Sequence, residues 1–151
     1  MAEGFFKHAL KSDEFLLNEY HVLSAGIAAS NGSPASTNSI KVLADGWNID
    51  ISSHKSRSLT ESSINEADLI LTMDEKQKNL ILSSFPGTKS KVYTLKEYTA
   101  CPASDNSVNT GKSALDISDP YGRSLHVYKA CACEIKEGVD RLMEKLKNGL
   151  K

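Results

Sequence analysis

The run Leu69-Ile70-Leu71-Thr72-Met73 is apolar at four of its five positions and shows no solvent-facing alternation. A strand of that kind has to be covered on both faces, which is the situation of a strand in a parallel sheet. Its neighbours fit. Thr60 stands where it can cap a short helix before the run, a second helix follows to about Phe85, and Lys91–Leu95 (KVYTL) reads as another strand. Upstream, His21–Ser30 reads as a short strand entering a glycine-containing turn, and residues 35–49 as a helix burying Ile40, Leu43 and Trp47. Strands and helices alternating at these intervals predict an α/β domain: an open parallel sheet between two helical layers.

The two ends of the chain are helical. Leu125, Tyr128, Ala132, Ile135, Val139, Leu142 and Leu146 recur at spacings of three and four, giving one long helix with a continuous core stripe and Gly149 at its end. At the other end Met1, Phe5 and Ala9, with Phe6 and Leu10 one step round, mark an amphipathic helix beginning at the first residue. No residue precedes it to cap its free N–H groups. Between Cys101 and Asp119 the chain is rich in Ser, Asn, Asp and Gly, so a long surface loop is expected there. There is no internal repeat.

With 151 residues, of which 40% are hydrophobic, residues 1–151 suffice for a single domain with one core. Eighteen basic against nineteen acidic residues give no bulk field for nucleic acid or an anionic membrane, so any anion has to be met by a local site. The three cysteines lack the paired spacing of a disulfide scaffold, which points to a reducing, cytoplasmic setting. The N-terminal stretch is broken by Glu3, Lys7 and His8 and reads neither as a signal peptide nor as a membrane span.

Most motifs give way on inspection. Asn109–Ala114 (NTGKSA) contains Gly-Lys-Ser, but the first glycine of a phosphate-binding loop would fall on Asn106 and no strand precedes it. Cys131 and Cys133 lie two apart on a helix, facing different ways, and His8, His21, His54 and His126 show no chelating spacing; no metal or cofactor is expected. Asp119-Pro120-Tyr121-Gly122 is the stronger signal, a carboxylate forced toward extended backbone by the following proline, an aromatic wall, and a glycine turning the chain into the last helix, although the tetrapeptide by itself reads equally as a plain turn before that helix.

The segments MAEGFFKH (1–8), SAG (24–26), HKSRSLT (54–60), ADLILTMDE (67–75), KVYTLKEY (91–98) and DPYG (119–122) stand in the order and rough spacing of the low-molecular-weight protein tyrosine phosphatases. The chain resembles that family over nearly its whole length, and TLKEY is more similar to its bacterial branch, which includes protein arginine phosphatases. The resemblance implies a four-stranded parallel sheet of the phosphotyrosine phosphatase I type and a phosphorylated protein substrate. It further implies catalysis through a cysteinyl-phosphate, with Asp119 as general acid and then base. Tyr121 resembles the aromatic lining the substrate slot, while Ser24 and His54 resemble the groups that hydrogen-bond and shape the phosphate loop.

One departure is large. In the family a central first strand leads into a loop of Cys, five residues and Arg just before the MAE helix, and this chain opens at that helix. Ser107, Glu137 and Val139 stand six residues beyond Cys101, Cys131 and Cys133, so no cysteine here begins that pattern. The expectation is an N-terminally incomplete phosphatase domain, lacking the first strand, nucleophile and phosphate-clamping arginine, and inactive alone. The alternatives are a non-catalytic binding or regulatory module on the same scaffold and, ranked lower, an arsenate reductase, which would need further relaying cysteines.

Overall fold

The computed structural model describes residues 1–100 and 114–149. These residues gather into two compact units: Met1–Leu59 joined by the chain from Asp119 onward, and Thr60–Ser118. In the first unit, α1 (Ala2–Leu10) and α3 (Thr37–Trp47) both pack on the long α7 (Leu125–Gly149), with the short α2 (Glu14–Glu19) against α1. The predicted stripe of α7 is buried at Tyr128, Ala132, Ile135, Val139 and Leu142, and meets Phe5, Phe6 and Leu10 of α1 and Val42 and Leu43 of α3 in the same core. Fully burying side chains of this size stabilises by about 1.5–3 kcal/mol each. The stripe's two ends, Leu125 and Leu146, are not buried, because α7 extends past the elements that cover it.

Local chemistry sets the bounds of these helices. Asp13 and Ser36 cap α2 and α3 by accepting from Leu16 N–H and Ser39 N–H. α3 stops at Asn48, whose left-handed backbone (φ 55°) directs its N–H to Ala44 O and lets Ile49 N–H reach Leu43 O. The chain then passes beneath α1, where a Cβ on Gly4 would lie 2.7 Å from Ile51 Cγ2. Glycine there permits the close approach. Phe5 meets Trp47 edge to face with centroids 5.0 Å apart.

In the second unit, β1 (Ile70–Thr72) and β2 (Val92–Thr94) pair in parallel, Ile70 opposite Val92 and Thr72 opposite Thr94. α4 (Glu61–Glu66) precedes β1 with the reciprocal Thr60–Ser63 cap, and α5 (Glu75–Ser84) follows with Asp74 accepting from Gln77 N–H at 2.7 Å. α6 (Leu95–Thr99) continues straight from β2 through a Thr94–Glu97 capping box. Glu97 also receives Lys78 Nζ at 2.6 Å. Asp116 accepts from Glu75 N–H and Ile117 N–H donates to Met73 O, so the chain returning toward Asp119 is fastened to the end of β1.

The α/β class and parallel strands are as expected, with differences of detail. Val42, not Ile40 or Trp47, joins Leu43 as a fully buried residue of α3. Residues 21–27 alternate between exposed and half-buried, the period of an extended chain, yet hold only an isolated bridge, Gly26 to Ser58, instead of a strand ladder. A ladder needs an in-register backbone partner, and the Ser24 amide is instead spent on a side chain, the Glu3 carboxylate. Of the four strands implied for the sheet, two are paired among the described residues. Most of the expected 101–119 loop lies outside the described residues.

Candidate active site

The Asp119 turn is held by its own side chain. Tyr121 N–H donates to Asp119 Oδ1 at 3.0 Å, Arg123 N–H closes the turn onto Pro120 O at 2.9 Å, and Gly122 takes φ 72°, where a Cβ would strain the backbone. Pro120 is buried and anchors the turn, so Tyr121 stands out with 80% of its surface exposed. Ser124 O then accepts from Val127 N–H and Tyr128 N–H as α7 begins.

Asp119 and Tyr121 line a cleft of about 720 Å³ together with Met1, Tyr128 and the 33–37 segment. The cleft therefore reaches the opening of α1, which carries no side-chain cap. The first amides of a helix have no intrahelical partner, and with the helix dipole they favour an anion. An acid, an exposed aromatic and an uncapped helix start share one cavity.

Glu3, in the first turn of α1, organises a second cluster beside the first. Its side chain is buried; Ser24 Oγ–H and Ser24 N–H donate to Oε2 at 2.5 and 2.9 Å, Lys7 Nζ donates to Oε1 at 2.6 Å, and His54 Nδ1 lies 3.8 Å from Oε2. Burial pushes the Glu3 carboxyl up, but the bonds from Lys7 and Ser24 and the charges of Lys7 and His54 outweigh it and hold the group below the ordinary glutamate value. Ser24 and His54, expected to act together, are thus joined through a carboxylate that the sequence reading passed over. The available signal was an acidic residue on the apolar face of an amphipathic helix, paired four residues on with Lys7.

Cys131 of the first unit is a poor nucleophile in place. Cys131 is buried, and burial, with the nearby charges of Glu134 and Asp119, pushes its thiol up to about 11. Cys133 is exposed along α7. Cys101 lies outside the described residues. Among the described residues no three His, Cys, Asp or Glu side chains are grouped to hold a metal ion, and no helix is long and apolar enough to cross a membrane.

The model of the low-molecular-weight phosphotyrosine protein phosphatase family matches residues 1–151. A protein-arginine-phosphatase of Bacillus subtilis is 34% identical over 97% of this chain and 87% of its own length. A probable low-molecular-weight protein-tyrosine-phosphatase, EpsP, of Ralstonia nicotianae is 35% identical over 83% of this chain and 77% of its own. Among solved structures, the YwlE arginine phosphatase of Geobacillus stearothermophilus superposes with a TM-score of 0.80 at 30% identity, covering 98% of this chain and 84% of that one. A low-molecular-weight protein tyrosine phosphatase from T. tengcongensis gives 0.79 at 35% identity, covering 95% and 88%. With its α/β fold, parallel strands and full-length match, this chain belongs to the low-molecular-weight phosphotyrosine protein phosphatase family.

Proposed function

We propose that Asp119 is the general acid and base of a cysteinyl-phosphate phosphatase acting on phosphorylated protein side chains, phosphotyrosine or phosphoarginine, in the cytoplasm. The observation that carries this reading is the shared cleft: Asp119 and Tyr121 line one cavity with Met1 at the start of α1. On this reading a phosphoryl group binds in the cleft that Asp119 and Met1 line, and Tyr121 forms the wall along which an aromatic or guanidinium leaving group lies.

The chemistry needs a thiolate. It attacks phosphorus, the P–O or P–N bond breaks, and the Asp119 carboxylic acid gives its proton to the departing oxygen or nitrogen. The Asp119 carboxylate then takes a proton from water as the water oxygen attacks phosphorus, expelling the thiolate and leaving inorganic phosphate. Net, phosphorylated side chain and water give free side chain and phosphate. The solved YwlE relative whose active-site serine, replacing a cysteine, is phosphorylated supports a covalent intermediate at such a position.

No Cys-five-residues-Arg segment occurs in the 151 residues. Neither the nucleophile nor the phosphate clamp is therefore assigned within these residues, and no turnover by this chain alone is predicted. Glu3, Ser24 and His54 act as positioning residues that fix the floor beneath the helix start. The test compares the 151-residue chain with one carrying an N-terminal strand and Cys-to-Arg loop, on an aryl phosphate and on phosphoarginine. Turnover by the extended chain only, falling about 10²–10⁴-fold in its Asp119→Asn variant, is expected. Equal activity of both chains refutes the assignment.

A further inference from the structure

A second concavity of the first unit, about 530 Å³, lies along the side of α1; it shares no lining residue with the Asp119 cleft, though His54 of the positioning cluster stands on its wall. Two elements supply cations to it. On α1 and its C-cap, Gly4, Lys7 and Lys11 stand at spacings of three and four and so share one face. Opposite, residues 55–57 are held extended: Ser56 N–H donates to Ser33 O and Gly32 N–H to Ser56 O, each at 2.8 Å, and Gly26 N–H donates to Arg57 O at 2.9 Å. Ser56 Oγ–H turns the other way, onto Ser30 O. Side chains two apart on extended backbone point together, so Lys55 and Arg57 both face the groove that they line.

Little acid opposes these cations. Glu3 engages Lys7, and the one carboxylate lining the groove, Asp50, accepts from Ser52 N–H at 2.7 Å. Lys11, Lys55 and Arg57 form no ion pair among the described residues. In a chain of net charge −1, three cations outside any ion pair, set against the single carboxylate of Asp50, leave this groove a local positive excess that does not reflect overall composition. Beneath them lie the buried Ile49 and Ile51. An apolar floor under a cationic rim matches an extended acidic peptide better than a compact anion.

We propose that this groove binds an acidic segment of the phosphorylated protein substrate, and so contributes to substrate choice away from the phosphate. The claim rests on the phosphatase reading for the identity of the partner. Met1 lines the catalytic cleft and Lys7 the groove, six residues and about 9 Å apart along α1. Extended peptide covers that in about three residues, so acidic positions about three to five places from the phosphorylated one reach the cations.

The test needs no turnover: fluorescence anisotropy of the 151-residue chain with a labelled, unphosphorylated twelve-residue peptide rich in Asp and Glu, beside its Asn/Gln counterpart. Expected are binding of the acidic peptide only, weakening in salt, and a loss of about tenfold or more in a Lys11→Glu/Arg57→Glu variant. Lys55→Ala, the milder change, should cost about threefold. A matched reversal elsewhere, Lys76→Glu/Lys129→Glu, should leave affinity within about twofold. Equal binding of the neutral peptide, equal loss in the matched reversal, or tighter groove-dependent binding of duplex DNA overturns the proposal. Such a failure strikes the groove alone and leaves the role of Asp119 to the turnover test.

Discussion

Replacing Glu3 tests how the first turn of α1 is held. Its buried carboxylate takes two hydrogen bonds from Ser24, at 2.5 and 2.9 Å, and one from Lys7. Bonds to a charged acceptor contribute about 1.5–3 kcal/mol each, roughly twice neutral ones. Ser24 is only half-buried, which selects the lower end, and Lys7 is half exposed, so its pair adds at most about 1 kcal/mol. Glu3→Ala, losing all three, should destabilise by about 3 kcal/mol; Glu3→Gln, keeping an acceptor for Ser24 but no charge, by about 1.5 kcal/mol. The sign with pH follows from the lowered carboxyl of the folded state. Its contribution is complete above the ordinary glutamate value of 4.5 and disappears as pH falls through the lower folded value. Urea unfolding followed by far-UV circular dichroism at pH 7 and at successively lower pH should show the gap between wild type and Glu3→Gln closing with acid. Hydrogen exchange at the Ser24 amide should accelerate in Glu3→Ala. A Glu3→Gln protein as stable as wild type at pH 7, or a gap that widens with acid, would refute the reasoning.

Leu43, completely buried in α3, should cost about 2–5 kcal/mol as Leu43→Ala in the same urea assay. Gly122→Ala, at φ 72°, should cost about 1 kcal/mol and, in the extended chain, lower turnover by misplacing Asp119. In a Cys101→Ser background, a thiol reagent at pH 8 should label the exposed Cys133 quickly and the buried Cys131, its thiol pushed up to about 11, only as the protein unfolds. Thr60→Ala removes the acceptor for Ser63 N–H and should destabilise by about 1 kcal/mol.

Periodicity and capping chemistry alone placed α1, α3, α5, α7 and both paired strands, because these depend on neighbours within a few residues. The same local logic marked the Asp119 turn, since proline and glycine constrain the backbone there wherever the turn lies in space, but only the resemblance to the family gave its carboxylate a role. Partnership between distant residues was not legible. Residues 21–27 have the composition of a strand, but pairing is a property of two segments, and here the Ser24 amide goes to Glu3 instead. Glu3 looked like an ordinary polar residue of a helix until folding buried it and brought Ser24 and His54 to it from 21 and 51 positions away. Lys11 and Arg57, far apart in the sequence, became one charged groove for the same reason. Short-range sterics and hydrogen bonding are written in the chain order; electrostatics and side-chain partnership act through space, so only the tertiary structure decides them.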